Sequence, residues 1–485
     1  MTVFSMDGPA LKGWIERRLL FGQPLTLELT AILLVYFVQG ILGLARLAVS
    51  FFLKDDLGLT PAEVAALTGI ATAPWTIKPL FGFLSDGLPI WGYRRRPYLV
   101  LSGLLGAVSW LVMALWVHTG WGAISALTLG SLSVAVSDVI VDSLVVERAR
   151  QESQSDAGSL QSLAWGASAI GGLLTAYAGG LLLEQVGTRA VFAITAAFPL
   201  IVSGVAWLIA EDPVTEQPTW RAIWGQVQQL KGAVTQKVIW MPALFIFLWQ
   251  ATPTADSAFF FFTTNDLHFQ PEFLGRVRLV TSIAALLGIW IFQRFLKAVP
   301  FRTIFAASTV LSTLFGFTML LLVTHTNRAL GIDDHWFSLG DSLILTVMGE
   351  ISFMPVLVLS ARICPAGVEA TLFALLMSVL NLAGLLSHEL GAVLTHWIGV
   401  TETNFDRLWL LVTLTNGSTL LPLPLIFLLP DTTSQGTTVE RVSPEGASLD
   451  GTSQAVTPPA ADGLEFNQPL AIAAPPTALE SEPSA

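Results

Sequence analysis

Five ionisable side chains fall inside long apolar runs where a lipid-facing chain would carry none. Asp138 and Asp142 stand four residues apart in SDVIVDSLVV, so a helix turns both to one face. Lys78 interrupts the run 62–84, Glu350 the run 338–362 and Arg46 the run 29–53. A charge at the centre of a bilayer costs at least about 2.5–3.5 kcal/mol on insertion scales, so each one requires a partner or a task. Two carboxylates one turn apart repel each other and readily share a proton. Such a pair suits a proton relay, or a hydrogen-bonding partner for a cationic or amidine-like group.

Depth sorts these residues further. At 1.5 Å per residue, Asp138 lies about 13 Å from the nearer end of its helix and Asp142 about 6 Å closer to that end. Lys78 falls at a depth close to that of Asp142, so a pair with Lys78 or with the loop arginines is the plain reading for the second aspartate, beside a share in binding. Asp138 and Glu350 lie deeper, have no obvious partner, and are read as functional. Arg46 reads equally as a structural counter-ion and as the deep cation for an anionic substrate. Trp75, Trp165 and Trp249 fall at interior depths and could stack on a flat heterocycle, although most of the 16 tryptophans belong to interfaces and packing. Gln39, Gln250 and Asn381 read as interhelical hydrogen bonds, and His388-Glu389 as a helix–helix contact.

The elements that must position these residues are membrane helices. The chain has 485 residues, 53% hydrophobic and only 12% charged, with mean hydropathy +0.66 and net charge -11. Soluble proteins carry about 25% charged residues. The balance excludes a soluble enzyme and a disordered chain, and an acidic surface gives nucleic acid nothing to grip. The single cysteine, Cys364, excludes a disulfide framework and a cysteine-based metal site. Spans of about 20 apolar residues are predicted at 29–53, 62–84, 98–117, 122–146, 158–183 and 189–210, then at 238–263, 276–296, 301–323, 338–362, 369–396 and 407–429. Sixteen basic residues fall on one set of loops and six on the other, which puts both termini in the cytoplasm. Residues 1–28 read as a cytoplasmic or interfacial lead-in, without the cleavage site of a signal peptide. Residues 29–210 form an N-terminal six-helix bundle, 211–237 a cytoplasmic connector, and 238–430 a C-terminal six-helix bundle. Residues 431–485, with eight acids and one base, read as a disordered acidic tail.

Six helices, a connector and six helices is the plan of the major facilitator fold, an all-α membrane architecture of two repeated halves. A trace of the repeat survives. Asp138 precedes Arg150 by twelve residues, Glu350 precedes Arg362 by twelve, and Gly158-Ser159-Leu160 answers Ala370-Thr371-Leu372, all at an offset of 212. After the second span, Gly82, Ser85 and Asp86 lead into Arg94, Arg95 and Arg96. This resembles that superfamily's cytoplasmic loop motif, lengthened here by Leu88-Pro89-Ile90-Trp91. The plain reading is a basic loop obeying the positive-inside rule. The functional reading is a gate, in which Asp86 meets a helix N-terminus and the arginines pair with carboxylates at the inner end of the fourth helix, with Arg148, Arg150 and Arg362 at equivalent ends. No motif for an enzyme, a metal or a cofactor competes.

Three runs carry a more specific likeness. KDDLGLTPAEVAALTGIATAPWTIKPLFGFLSDGLPIWGYRRRPYLVL (54–101), SDVIVDSLVVERAR (137–150) and LGIDDHWFSLGDSLILTVMGEISFMPVLVLSARICPAGVEATLFALLMS (330–378) resemble the folate–biopterin transporter family, within a region spanning most of 25–430. The resemblance implies proton-coupled uptake of folates and pterins, placed here in the cell (inner) membrane, and a monomer is the default for the fold. A short N-terminus without a transit peptide fits a cyanobacterial member. On that reading Asp138 or Glu350 grips the pterin edge, a tryptophan its face, and Arg46 or Lys78 an anionic tail. The rival functions are a pigment-delivery or assembly protein of the same fold, and a carrier for another organic anion or drug.

Overall fold

In lipid a backbone satisfies its polar groups only by folding on itself, so the apolar runs become helices and the interest lies in where they break. The computed structural model describes residues 23–149, 154–213, 235–296, 299–362 and 369–429, with positions 16, 20, 228 and 232 besides. These residues are all-helical. In chain order they form α1 (Leu27–Asp56), α2 (Pro61–Ala71), α3 (Lys78–Gly87), α4 (Arg96–Leu115), α5 (Gly120–Ala149), α6 (Gln154–Thr195) and α7 (Ala197–Val205). After the connector come α8 (Lys237–Gln250), α9 (Asp256–Asn265), α10 (Pro271–Ile291), α11 (Phe301–Gly316), α12 (Asp334–Arg362), α13 (Glu369–Ile398) and α14 (Leu408–Ser418). Among the described residues, nine helices are long and apolar enough to cross a membrane.

The departures from the expected spans have local causes. Thr60 and Glu63 make a capping box that starts α2 at Pro61. The span expected at 62–84 is then split by a 3-10 turn, Ala73–Ile77, because Pro74 and Pro79 lack the N–H groups an unbroken helix needs. The span expected at 238–263 ends at Gln250 and resumes at Asp256 for the same reason, with Pro253 between. The spans expected at 158–183 and 189–210 join through α6, broken only at Gly187, where φ is +79°. A 3-10 turn at Leu42–Leu44 likewise interrupts α1 just before Arg46. The repeat survives in the helix bounds: α12 starts 214 residues after α5 (334 − 120) and ends 213 after it (362 − 149).

Four hydrophobic clusters make the core. Two are built mainly from residues 20–209 and two from residues 239–429. The two sets of helices meet, among other places, at the end that carries the α1–α2 and α9–α10 turns. There Phe51 packs edge-on to Phe260 at 5.2 Å and Lys54 donates to Asn265 Oδ1 at 2.7 Å. Tyr177 donates to Glu272 Oε1 at 2.8 Å. Gly180 of α6 lies so close to α10 that a Cβ there would meet Gly275 Cα at 2.8 Å, so only glycine permits this crossing.

Candidate functional site

The proline-bearing break between α2 and α3 does more than bend a helix. It sets Trp75 in the turn and Lys78 at the first position of α3. The Lys78 ammonium lies 4.8 Å over the Trp75 ring and forms an ion pair with Asp138 of α5. Both partners are 13% exposed, where the weak screening strengthens their attraction. One turn along α5, Asp142 accepts a hydrogen bond from the Tyr36 hydroxyl of α1. From the second set of helices, Asn381 of α13 donates its Nδ2–H to the Trp75 carbonyl at 3.2 Å, one of the polar groups the break had released. Three helices of the first set and one of the second therefore converge on the turn.

This arrangement corrects the pairing read from depth. Lys78 takes Asp138, which had been left without a partner, and Tyr36 takes Asp142. The reason is direction: helical side chains lean toward their own N-terminus, so a long lysine stem carries its charge to the level of the deeper acid. Tyr36 carried no signal in the sequence, being one aromatic residue in an apolar run.

The remaining candidates separate. Glu350 is half-buried on α12 with its Cβ against Gly288 of α10, and has no ion pair among the described residues. Trp165 is exposed on α6, away from the Lys78–Asp138 pair as far as any hydrogen bond or ring contact goes. Trp249 is committed to the core: its Nε1–H donates to Thr309 Oγ1 at 3.2 Å and its ring meets Phe305 edge-on at 5.6 Å. Of the three tryptophans only Trp75 adjoins the charged cluster. Gln39, expected to bond across helices, has a buried Nε2 without a partner among the described residues. A groove of about 210 Å³ between α8 and α13 is lined by Trp240 and by aliphatic and phenyl side chains such as Leu244, Phe247 and Leu376, with no charged group.

Arg46 is exposed although Ala45, Leu47 and Ala48 beside it are buried. It faces a second cation. Arg278, inside the span expected at 276–296, stands seven residues into α10, which begins at Pro271. Its Nη1–H reaches the Gly43 carbonyl of α1 at 3.4 Å, and its charge interacts with that of Arg46.

At the opposite end of α3, Asp86 pairs with Arg95 at 2.8 Å, and Arg95 also donates to Ser85 Oγ at 2.8 Å. Gly82 lies beside Val139 of α5. Ile90 and Tyr93 close a tight turn that presents the three arginines. Their backbone N–H groups converge on Glu211, at 2.6, 2.9 and 3.0 Å from Arg94, Arg95 and Arg96. A carboxylate there satisfies the unpaired donors of the α4 N-terminus. Glu211 had been placed in the connector, and its only signal was an acid directly after an apolar run. The side chains of Arg148 and Arg362, and Arg150 altogether, lie outside the described residues.

Fold and site together define a multi-pass membrane protein with the major-facilitator type of fold. Solved structures agree on the architecture: a nucleoside transporter superposes with a TM-score of 0.64 at 13% identity, over 83% of this chain and 99% of the other. A D-xylose–proton symporter superposes with a TM-score of 0.62 at 15% identity, over 85% and 100%. The chain belongs to the BT1 family, whose model matches residues 39–444. It is 62% identical to the folate-biopterin transporter of Synechocystis sp., over 87% of this chain and 85% of that protein. It is 34% identical to the probable folate-biopterin transporter 2 of Arabidopsis thaliana, over 81% and 80%.

Proposed function

We propose that this chain carries folates and related pterins across the cell membrane by alternating access, coupled to protons. Twelve transmembrane helices form the two bundles 29–210 and 238–430, joined by the cytoplasmic connector 211–237, with both termini in the cytoplasm. The observation that carries the reading is the Lys78–Asp138 pair with Asp142 and Tyr36 beside it, at mid-depth on a broken helix. The names of the Synechocystis and Arabidopsis relatives supply the substrate class.

The chemistry follows from charge and shape. Two aspartates and one lysine leave one negative charge unbalanced, and a proton on the pair cancels it. A pterin offers a 2-amino group and a neighbouring ring N–H on one edge, which a carboxylate accepts as two parallel hydrogen bonds. Trp75 offers a face for the ring, and Asp138 binds the edge only by loosening its hold on Lys78. Binding and protonation thereby act on the same few atoms. The Asp86–Arg95 pair and the Glu211 cap brace the inner ends of α3 and α4, around which the first bundle rocks.

The test is uptake of radiolabelled folate and biopterin into proteoliposomes, with and without an imposed proton gradient. Uptake of both, accelerated by an inwardly directed gradient, is the expected result. Absence of uptake from correctly inserted protein overturns the reading in favour of an assembly role, and uptake indifferent to the gradient removes the coupling.

A further inference from the structure

The two arginines Arg46 and Arg278 are hard to explain as structure. Each sits in a membrane helix, one from each set, and like charges at close quarters in a weakly screened environment repel. Their neighbours show what a balanced cation looks like in this protein. Arg276, two residues before Arg278, is held by Glu272 at 2.6 Å, and Lys78 is held by Asp138. Neither Arg46 nor Arg278 has a carboxylate partner among the described residues. Arg278 donates to the Gly43 carbonyl, and Arg46 is exposed on an otherwise buried stretch of α1. Because Arg278 reaches back to α1 three residues before Arg46 and the two charges interact, the two guanidiniums stand where the two sets of helices meet.

We propose that Arg46 and Arg278 form a seat for a dianion, which takes the two carboxylates of a glutamate-bearing substrate and makes the protein favour folates over simple pterins. The proposal rests on the folate–pterin reading above and adds the residue pair that discriminates within it. A guanidinium binds a carboxylate through two parallel N–H···O bonds, and two guanidiniums match the two carboxylates of a glutamyl tail. Spacing supports the match. Tyr36 at the acid cluster and Arg46 are ten residues apart on α1, about 15 Å along a helix, so one elongated molecule with a flat ring at one end and carboxylates at the other spans both sites. A pterin without the tail reaches only the first. The seat is also assembled from both sets of helices: an anion there replaces the repulsion between α1 and α10 with a shared attraction, and so favours the conformer in which they meet.

Two measurements on the full chain test this. In proteoliposomes, Arg278→Gln should lower the folate-to-biopterin ratio of kcat/KM about tenfold or more, and Arg278→Lys should restore part of it. An equal loss for both substrates would assign Arg278 a merely structural role and overturn the proposal, as would an unchanged ratio. In detergent, N-(4-aminobenzoyl)glutamate should raise the melting temperature of the wild-type protein and raise it much less in Arg278→Gln. Equal stabilisation of the two, or none of the wild type, overturns the seat whatever the transport result. If neither folate nor biopterin is carried while this dianion stabilises only the wild type, the seat stands and the folate–pterin reading falls.

Discussion

Asp138 and Glu350 occupy equivalent positions on helices that the repeat relates, yet their surroundings have diverged. Asp138 is paired with Lys78 and followed a turn later by a second acid that Tyr36 holds. Glu350 stands against Gly288 with no ion pair among the described residues. The difference originates one helix away. The residue 212 positions after Lys78 is Trp290, which is exposed on an unbroken α10 and meets the Phe295 ring edge-on. In the first set, by contrast, Pro74 and Pro79 open the helix at that level and turn a lysine inward. A duplicated acid thus becomes a charge network or stays a lone carboxylate according to whether the neighbouring helix is broken.

That contrast can be broken by mutation. The largest effect is expected for Asp138→Asn, which should abolish folate uptake while the protein still reaches the membrane, and Arg46→Ala should do the same. Removing one partner of a buried pair strands the other charge, at a cost of about 3–5 kcal/mol. Lys78→Gln should therefore melt at a markedly lower temperature than wild type, and the Lys78→Gln, Asp138→Asn double variant should recover much of that stability without recovering transport. Glu350→Gln strands nothing: its melting temperature should stay near wild type, so any loss of uptake in that variant reports transport alone. Tyr36→Phe removes one hydrogen bond to a carboxylate, with an expected loss of about 1.5–3 kcal/mol in a denaturation series. The smallest change is expected for Glu211→Gln, which weakens the cap on α4 by about 0.5–2 kcal/mol and should leave the folate-to-biopterin preference as it is.

Much of this was legible in the residues. Long apolar runs announced the helices, and charges within them announced the cluster around Lys78 and Asp138, because insertion into lipid penalises both kinds of error strongly. The repeat could be read from Asp138, Glu350 and the arginines that follow them. Pairing could not, since Cα depth does not fix where a lysine stem delivers its charge. Arg278 stood near the edge of the expected span 276–296, where a basic residue reads as part of the loop charge. Tyr36 and Glu211 were silent for opposite reasons: one is an ordinary aromatic in an apolar run, the other an ordinary acid in a polar segment. The interrupted spans at Pro74 and Pro253 were passed over because proline is common in membrane helices and its effect depends on neighbours that re-satisfy the backbone, as Asn381 does for Trp75.

The Lys78–Asp138 network is most directly tested by counterflow, which needs no driving gradient and so isolates substrate passage. Proteoliposomes preloaded with unlabelled folate should accumulate labelled folate rapidly with the wild-type chain and not at all with Asp138→Asn inserted at equal density. Exchange by Asp138→Asn at the wild-type rate would contradict the account.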